Sequence, residues 1–82
     1  MSMDATGRIA AIGEARLVRG YGLAGAAVTT AEDETAATTA WRQLDARVTV
    51  VIVTPSAARA VAAAGGPGGR LLAVLPDPDG AA

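Results

Sequence analysis

The stretch that most constrains this chain is Val48 to Val53, VTVVIV, where β-branched residues are dense and every position but Thr49 is apolar. It lacks the polar/apolar alternation of a strand with one wet face. The run therefore predicts a central strand of a parallel sheet, covered on both sides. Parallel strands need crossover connections, and the sequence supplies them by alternating short apolar runs with amphipathic segments, the pattern of an α/β domain. Four strands are expected: Ile9 to Ile12, Ala26 to Thr29, Val48 to Val53 and Leu71 to Leu75.

Three helices fall between them. Glu14 to Leu23 carries Leu17, Val18, Tyr21 and Ala24 at helical spacing, weakened by Gly20 and Gly22 at roughly 1 kcal/mol each. A second helix starts at Thr30, with Asp33 completing a box-like cap and the acids at 32, 33 and 34 at its positive end; Ala37, Ala40, Trp41 and Leu44 form its apolar stripe. Thr54 as cap and Pro55 at the first helical position open the third, which Gly65, Gly66, Pro67, Gly68 and Gly69 end. Right-handed crossovers then give an α/β fold. It is a small three-layer flavodoxin-like (Rossmann-like) sandwich with a four-stranded parallel sheet in the order 2-1-3-4. One domain spans 8–76, with residues 1–7 and 77–82 expected as disordered tails.

The core of such a domain is thin. The chain has 82 residues and is 51% hydrophobic, but half of that share is Ala, which contributes little apolar area. A domain of this size buries only about 60% of its unfolded surface, so a partner or an oligomer is expected to cover more.

Composition also removes whole classes of chemistry. Without Cys or His there is no disulfide, no thiolate or imidazole metal site and no His- or Cys-dependent catalysis. No Lys is present for a Walker phosphate loop, so ATP hydrolysis by this chain alone is not expected. The balance of 7 basic against 8 acidic residues, with Tyr21 and Trp41 the sole aromatics, offers neither a basic stripe nor a stacking platform for nucleic acid. The polar, acidic opening MSMDATG is not a signal peptide, and no apolar run approaches the length of a membrane span. A cytoplasmic protein is expected.

Several motifs invite a chemical interpretation. Gly20 to Gly25 match G-x-G-x-x-G, with Asp45 20 residues further on. A dinucleotide loop, however, directly follows the first strand and opens a helix, whereas this one lies some residues later and leads into a strand. The glycines are better explained as a helix end that permits close packing. Phosphorylatable receiver domains share the topology, but Thr54 stands where the acceptor Asp belongs. Thr54 and Ser56 at a helix start are phosphorylation candidates, against their simpler role as caps. Glu14 and the run Glu32 to Glu34 are taken as dipole partners, Arg59 and Arg70 as solubilising charge, and Trp41 as core. No catalytic, cofactor-binding or metal-binding residue is assigned.

The segment IAAIGEARLVRGYGLAGA closes its first strand with Ile12-Gly13-Glu14 and places Gly-aromatic-x-Leu-Ala-Gly on Gly20 to Gly25. It resembles the F-subunit family of the vacuolar/archaeal-type (V/A-type) ATPases and ATP synthases. An acidic helix start, an apolar third strand ending in Thr54 and a last strand ending in Pro76 follow in the same order. The resemblance implies a non-catalytic central-stalk component without cofactor. It would dock on the long helical-hairpin protein of the stalk, the D-subunit, which turns inside the catalytic head, and reach the membrane only through the complex. Contacts are then expected from Gly13, Glu14, Tyr21, Leu23, Thr54 and Pro55, as loops at the carboxyl ends of the strands. Two departures are visible. Gly22 replaces a common Arg, and the family's C-terminal helical tail has no counterpart before Ala82, so docking falls to the α/β domain. In isolation, a homodimer through the unoccupied docking face is one open alternative beside the single chain. Two other functions compete: a free-standing regulatory or adaptor module switched by phosphorylation of Thr54 or Ser56, and a small nucleotide-binding domain using Gly20 to Gly25.

Overall fold

The computed structural model describes residues 9–76; the two terminal segments expected to be disordered lie outside the described residues. Four strands, β1 (Ile9–Gly13), β2 (Ala27–Thr30), β3 (Val50–Val53) and β4 (Leu71–Val74), form one sheet in the order β2-β1-β3-β4. All pairings are parallel, with Ala10 beside Ala27 and Val51, and Val51 beside Leu72. This is the small flavodoxin-like α/β architecture that the sequence predicts.

The crossovers depart from expectation in two places. The first is not one helix over Glu14 to Leu23 but a single α-turn, α1 (Ala15–Val18), running into a 3-10 helix (Arg19–Ala24). Glycines at 20 and 22 weaken the α-helix, and the tighter 3-10 form is favoured in short pieces. Gly25, at φ 97° in the left-handed region, ends it and turns the chain into β2. The second helix, α2 (Glu34–Arg42), begins later than predicted. Thr30 is held in the sheet beside Gly13, so capping passes to Asp33, whose carboxylate accepts from the Ala36 N–H at 2.8 Å. The third, α3 (Pro55–Ala63), starts as predicted, with Thr54 as cap and Pro55 leading. No helix of the described residues is long and apolar enough to cross a membrane.

The main core lies on one side of the sheet. Ile12, Val51 and Val53 meet Ala37, Ala40 and Trp41 of α2 and Ala57, Ala60 and Val61 of α3. The small alanines let the two helices pack closely against one another over the sheet. On the other side, α1 and the 3-10 helix pack chiefly on β1 and β2, where Ala11 and Val18 are fully buried.

The central strand is not covered on both sides. Val51 and Val53 are fully buried, but Val50 and Ile52 are only half-buried. The cause is topological. Right-handed crossovers send the first helical segment toward β2 and both later helices to the opposite face. Among the described residues no helix therefore lies over β3 and β4 on that second side, and Leu71 is 66% exposed there.

Candidate functional site

In a doubly wound sheet, ligands bind outside the carboxyl ends of the strands where the strand order reverses, here between β1 and β3. Glu14, which follows β1, and Thr54, which follows β3, meet at this point. Ser56, in the first turn of α3, donates to Glu14 Oε2 at 3.0 Å, and the Thr54 and Ser56 hydroxyls are 3.4 Å apart. Thr54 Oγ1 also accepts from the Ala57 N–H. The Thr54 hydroxyl above all, then Glu14's own backbone N–H, Ser56 and the nearby Arg16 charge, hold the Glu14 carboxyl below its usual range, against the opposing effect of burial.

A second carboxylate closes the same end. Glu32 Oε2 accepts from the Ala15 N–H at 2.9 Å, across from the α1 start. The backbone is tied there too, through Thr54 N–H to Ile12 C=O and Ala31 N–H to Gly13 C=O. The helix starts that would face a ligand phosphate in this fold are thus already faced by the chain's own acids. An incoming anion would meet Glu14 and Glu32, so the arrangement disfavours phosphate and nucleotide.

The six residues expected to meet a partner do not form one cluster. Gly13, Glu14, Thr54 and Pro55 do sit together at the carboxyl ends of β1 and β3. Of these, Gly13 and Thr54 are buried, leaving Glu14 and Pro55 half-exposed. Tyr21 and Leu23 belong instead to the 3-10 helix that leads into the amino end of β2. A parallel β2 has to begin at the same end of the sheet as β1, so the crossover carries both residues away from Glu14. Leu23 is 95% exposed. The glycines of the apparent dinucleotide motif are in this 3-10 segment and its cap, away from the strand-to-helix turn that a pyrophosphate needs.

Nor are the hydroxyls placed as accessible phosphorylation sites. Thr54 has no exposed surface, and Ser56 already donates to a carboxylate that a phosphate would repel. An open hollow of about 360 Å³ lies at the opposite end of the sheet, between β1, β2 and the end of α2, lined largely by Ala10, Ala27, Ala40, Leu44 and Val48. Its acid, Asp45, is bound to Arg47 through both backbone N–H and guanidinium, which lowers its pKa.

Sequence reasoning missed two features. Arg70 is not a free surface charge: its guanidinium donates to the Val48 and Asp45 carbonyls and lies 5.1 Å from the centre of the Trp41 ring. The other is the uncovered side of β3 and β4. Register aligns Ile9, Val50 and Leu71 in one row and Ala11, Ile52 and Ala73 in the next. Of these, only Ala11 is fully buried. The absence of alternation in VTVVIV was the available signal, since it demands cover on a side that the described chain leaves half open.

A search against models of known protein families finds no match, and comparisons with curated proteins and with solved structures find none either.

Proposed function

We propose that this chain is a non-catalytic central-stalk component of a V/A-type proton- or sodium-translocating ATPase or ATP synthase. It would dock on the helical-hairpin protein of the stalk and reach the membrane only through the complex. The observation that supports this reading is the half-covered apolar side of β3 and β4, carrying Ile9, Val50, Ile52, Leu71 and Ala73.

Parallel sheets are stable with helices over both faces. The strip spans β1, β3 and β4, and two interstrand spacings make a width of about 10 Å, close to the ~10–12 Å diameter of a helix with its side chains. One helix of a hairpin laid along the strip completes the missing layer. Covering the part of each Val, Ile or Leu side chain still exposed there contributes a fraction of the about 1.5–3 kcal/mol that burial from full exposure is worth. The acids that occupy the crevice between β1 and β3 suit a part that transmits force and binds no nucleotide. The segments Ile12 to Glu14 and Gly20 to Gly25, which resemble the F-subunit family, select it among docking modules.

The test is isolation of the complex from native cells, followed by direct binding. The chain is expected to co-purify with a long helical-hairpin protein and the ATPase head, and to bind that hairpin at micromolar concentration. Replacing Val50 and Ile52 together with Thr keeps β-branching and is expected to weaken binding at least tenfold, since about 1.4 kcal/mol is a factor of ten. A chain that ignores the hairpin, or that turns over a nucleotide alone, overturns the proposal.

A further inference from the structure

The edge of the sheet at β4 is a second surface, which borders the open face along Leu71 and Ala73. Leu71 N–H bonds to Thr49 C=O and Leu75 N–H to Val53 C=O, so these residues turn their backbone groups toward β3. By the two-residue period of a strand, Leu72 and Val74 turn theirs outward, away from the sheet. Edge strands are usually protected by charge, proline or a bulge. Leu71 to Leu75 contains neither charge nor proline, and the flanking Arg70 guanidinium is folded back onto Val48, Asp45 and Trp41.

We propose that this edge pairs antiparallel with β4 of a second copy of the chain, about a two-fold axis at Ala73. The strand is self-complementary in that register. Leu72 and Val74 of the two copies exchange backbone hydrogen bonds, while Ala73 faces Ala73 of the second copy in the closely spaced, non-hydrogen-bonded position, where a small side chain fits. Leu71 lies opposite Leu75 and Leu72 opposite Val74, so every cross-strand pair is apolar. The pairing covers Leu71 and Val74, which are 66% and 53% exposed in the single chain. Pro76, opposite Arg70 in this register, has no N–H and ends the ladder.

This inference goes beyond the docking reading and stands or falls separately, because Val50 and Ile52 remain on the open face of such a dimer. Sedimentation equilibrium of the full chain from micromolar to millimolar concentration is expected to show a monomer–dimer equilibrium. Val74→Pro removes an outward N–H that the monomer does not use, and an edge strand tolerates it. It is expected to weaken dimerisation at least tenfold while a cooperative melt is retained. Ala73→Arg sets two guanidiniums across the axis and has the same expected effect. Amide hydrogen exchange on the unaltered chain supplies a check that needs no variant. Leu72 and Val74 should slow as concentration rises, whereas Leu71 and Leu75 should be slow throughout. A chain that stays monomeric at millimolar concentration overturns the proposal. So does a dimer in which Leu72 and Val74 exchange as fast as in dilute solution, since that contact lies elsewhere.

Discussion

Thr54 fills the space that a side chain on Gly13 would need: a Cβ at Gly13 would sit 2.5 Å from Thr54 Oγ1 and 2.9 Å from Thr54 Cβ. The last residue of β1 is therefore bare because the residue that caps α3 leans across it. Gly13→Ala is expected to cost about 1–3 kcal/mol, as overpacking does, and to lower Tm by roughly 4–8 °C per kcal/mol in a domain of this size. Thermal denaturation measures it. Thr54→Ser, which removes the overlapping Cγ2, should recover part of the loss, and an unchanged Tm in Gly13→Ala would refute the overlap.

Capping of α2 distinguishes two neighbouring residues. Asp33→Ala removes the acceptor of the Ala36 N–H and is expected to cost about 1 kcal/mol; Thr30→Ala, at an exposed position in β2, should cost no more than about 0.5 kcal/mol. Urea denaturation of both variants decides whether the helix starts where the carboxylate lies. Equal losses would sink the assignment.

Acid acts through Glu14. Its folded pKa is depressed, chiefly by the Thr54 hydroxyl. The folded state therefore binds this proton less readily than the unfolded chain does. The resulting stability is present above the ordinary Glu value of 4.5 and is lost as pH falls through the lower, folded value. Glu14→Gln has no such charge to titrate. The stability difference between the unaltered chain and Glu14→Gln, from urea unfolding, should change between neutral pH and the acid limit in the direction that favours the unaltered chain at neutrality. A difference independent of pH would count against a depressed Glu14.

Arg70 ties the start of β4 to the loop before β3 and to α2. Arg70→Ala loses two bonds to carbonyls and a cation–π contact, together about 1–3 kcal/mol. Arg70→Lys should recover little, because an ammonium has neither the planar fork nor the stacking face. Chemical denaturation of the pair tests this, and full recovery by Lys would show that charge alone mattered.

Much of the fold was legible locally. Thr54-Pro55 announced the start of α3, and the glycine-rich stretch from Gly65 announced its end. The strand order followed from the handedness of crossovers. What escaped was set by partners distant in sequence. Glu14 and Ser56 are 42 positions apart, and Arg70 reaches Val48 across 22. No short-range pattern encodes such pairs. The start of α2 was misjudged because Thr30 has good capping chemistry but is claimed by its place beside Gly13 in the sheet. The side of β3 left open was hidden because VTVVIV is apolar in both phases of the strand, so it does not say which side the chain covers itself.

The position of Arg70 over Trp41 gives the molecule an internal optical gauge. Trp41 is its sole indole, and the guanidinium above it belongs to the residue that enters β4 directly after the glycine link. Detachment of that strand lifts the cation from the ring, so the emission of this one fluorophore tracks whether the outermost strand is seated, with no label attached.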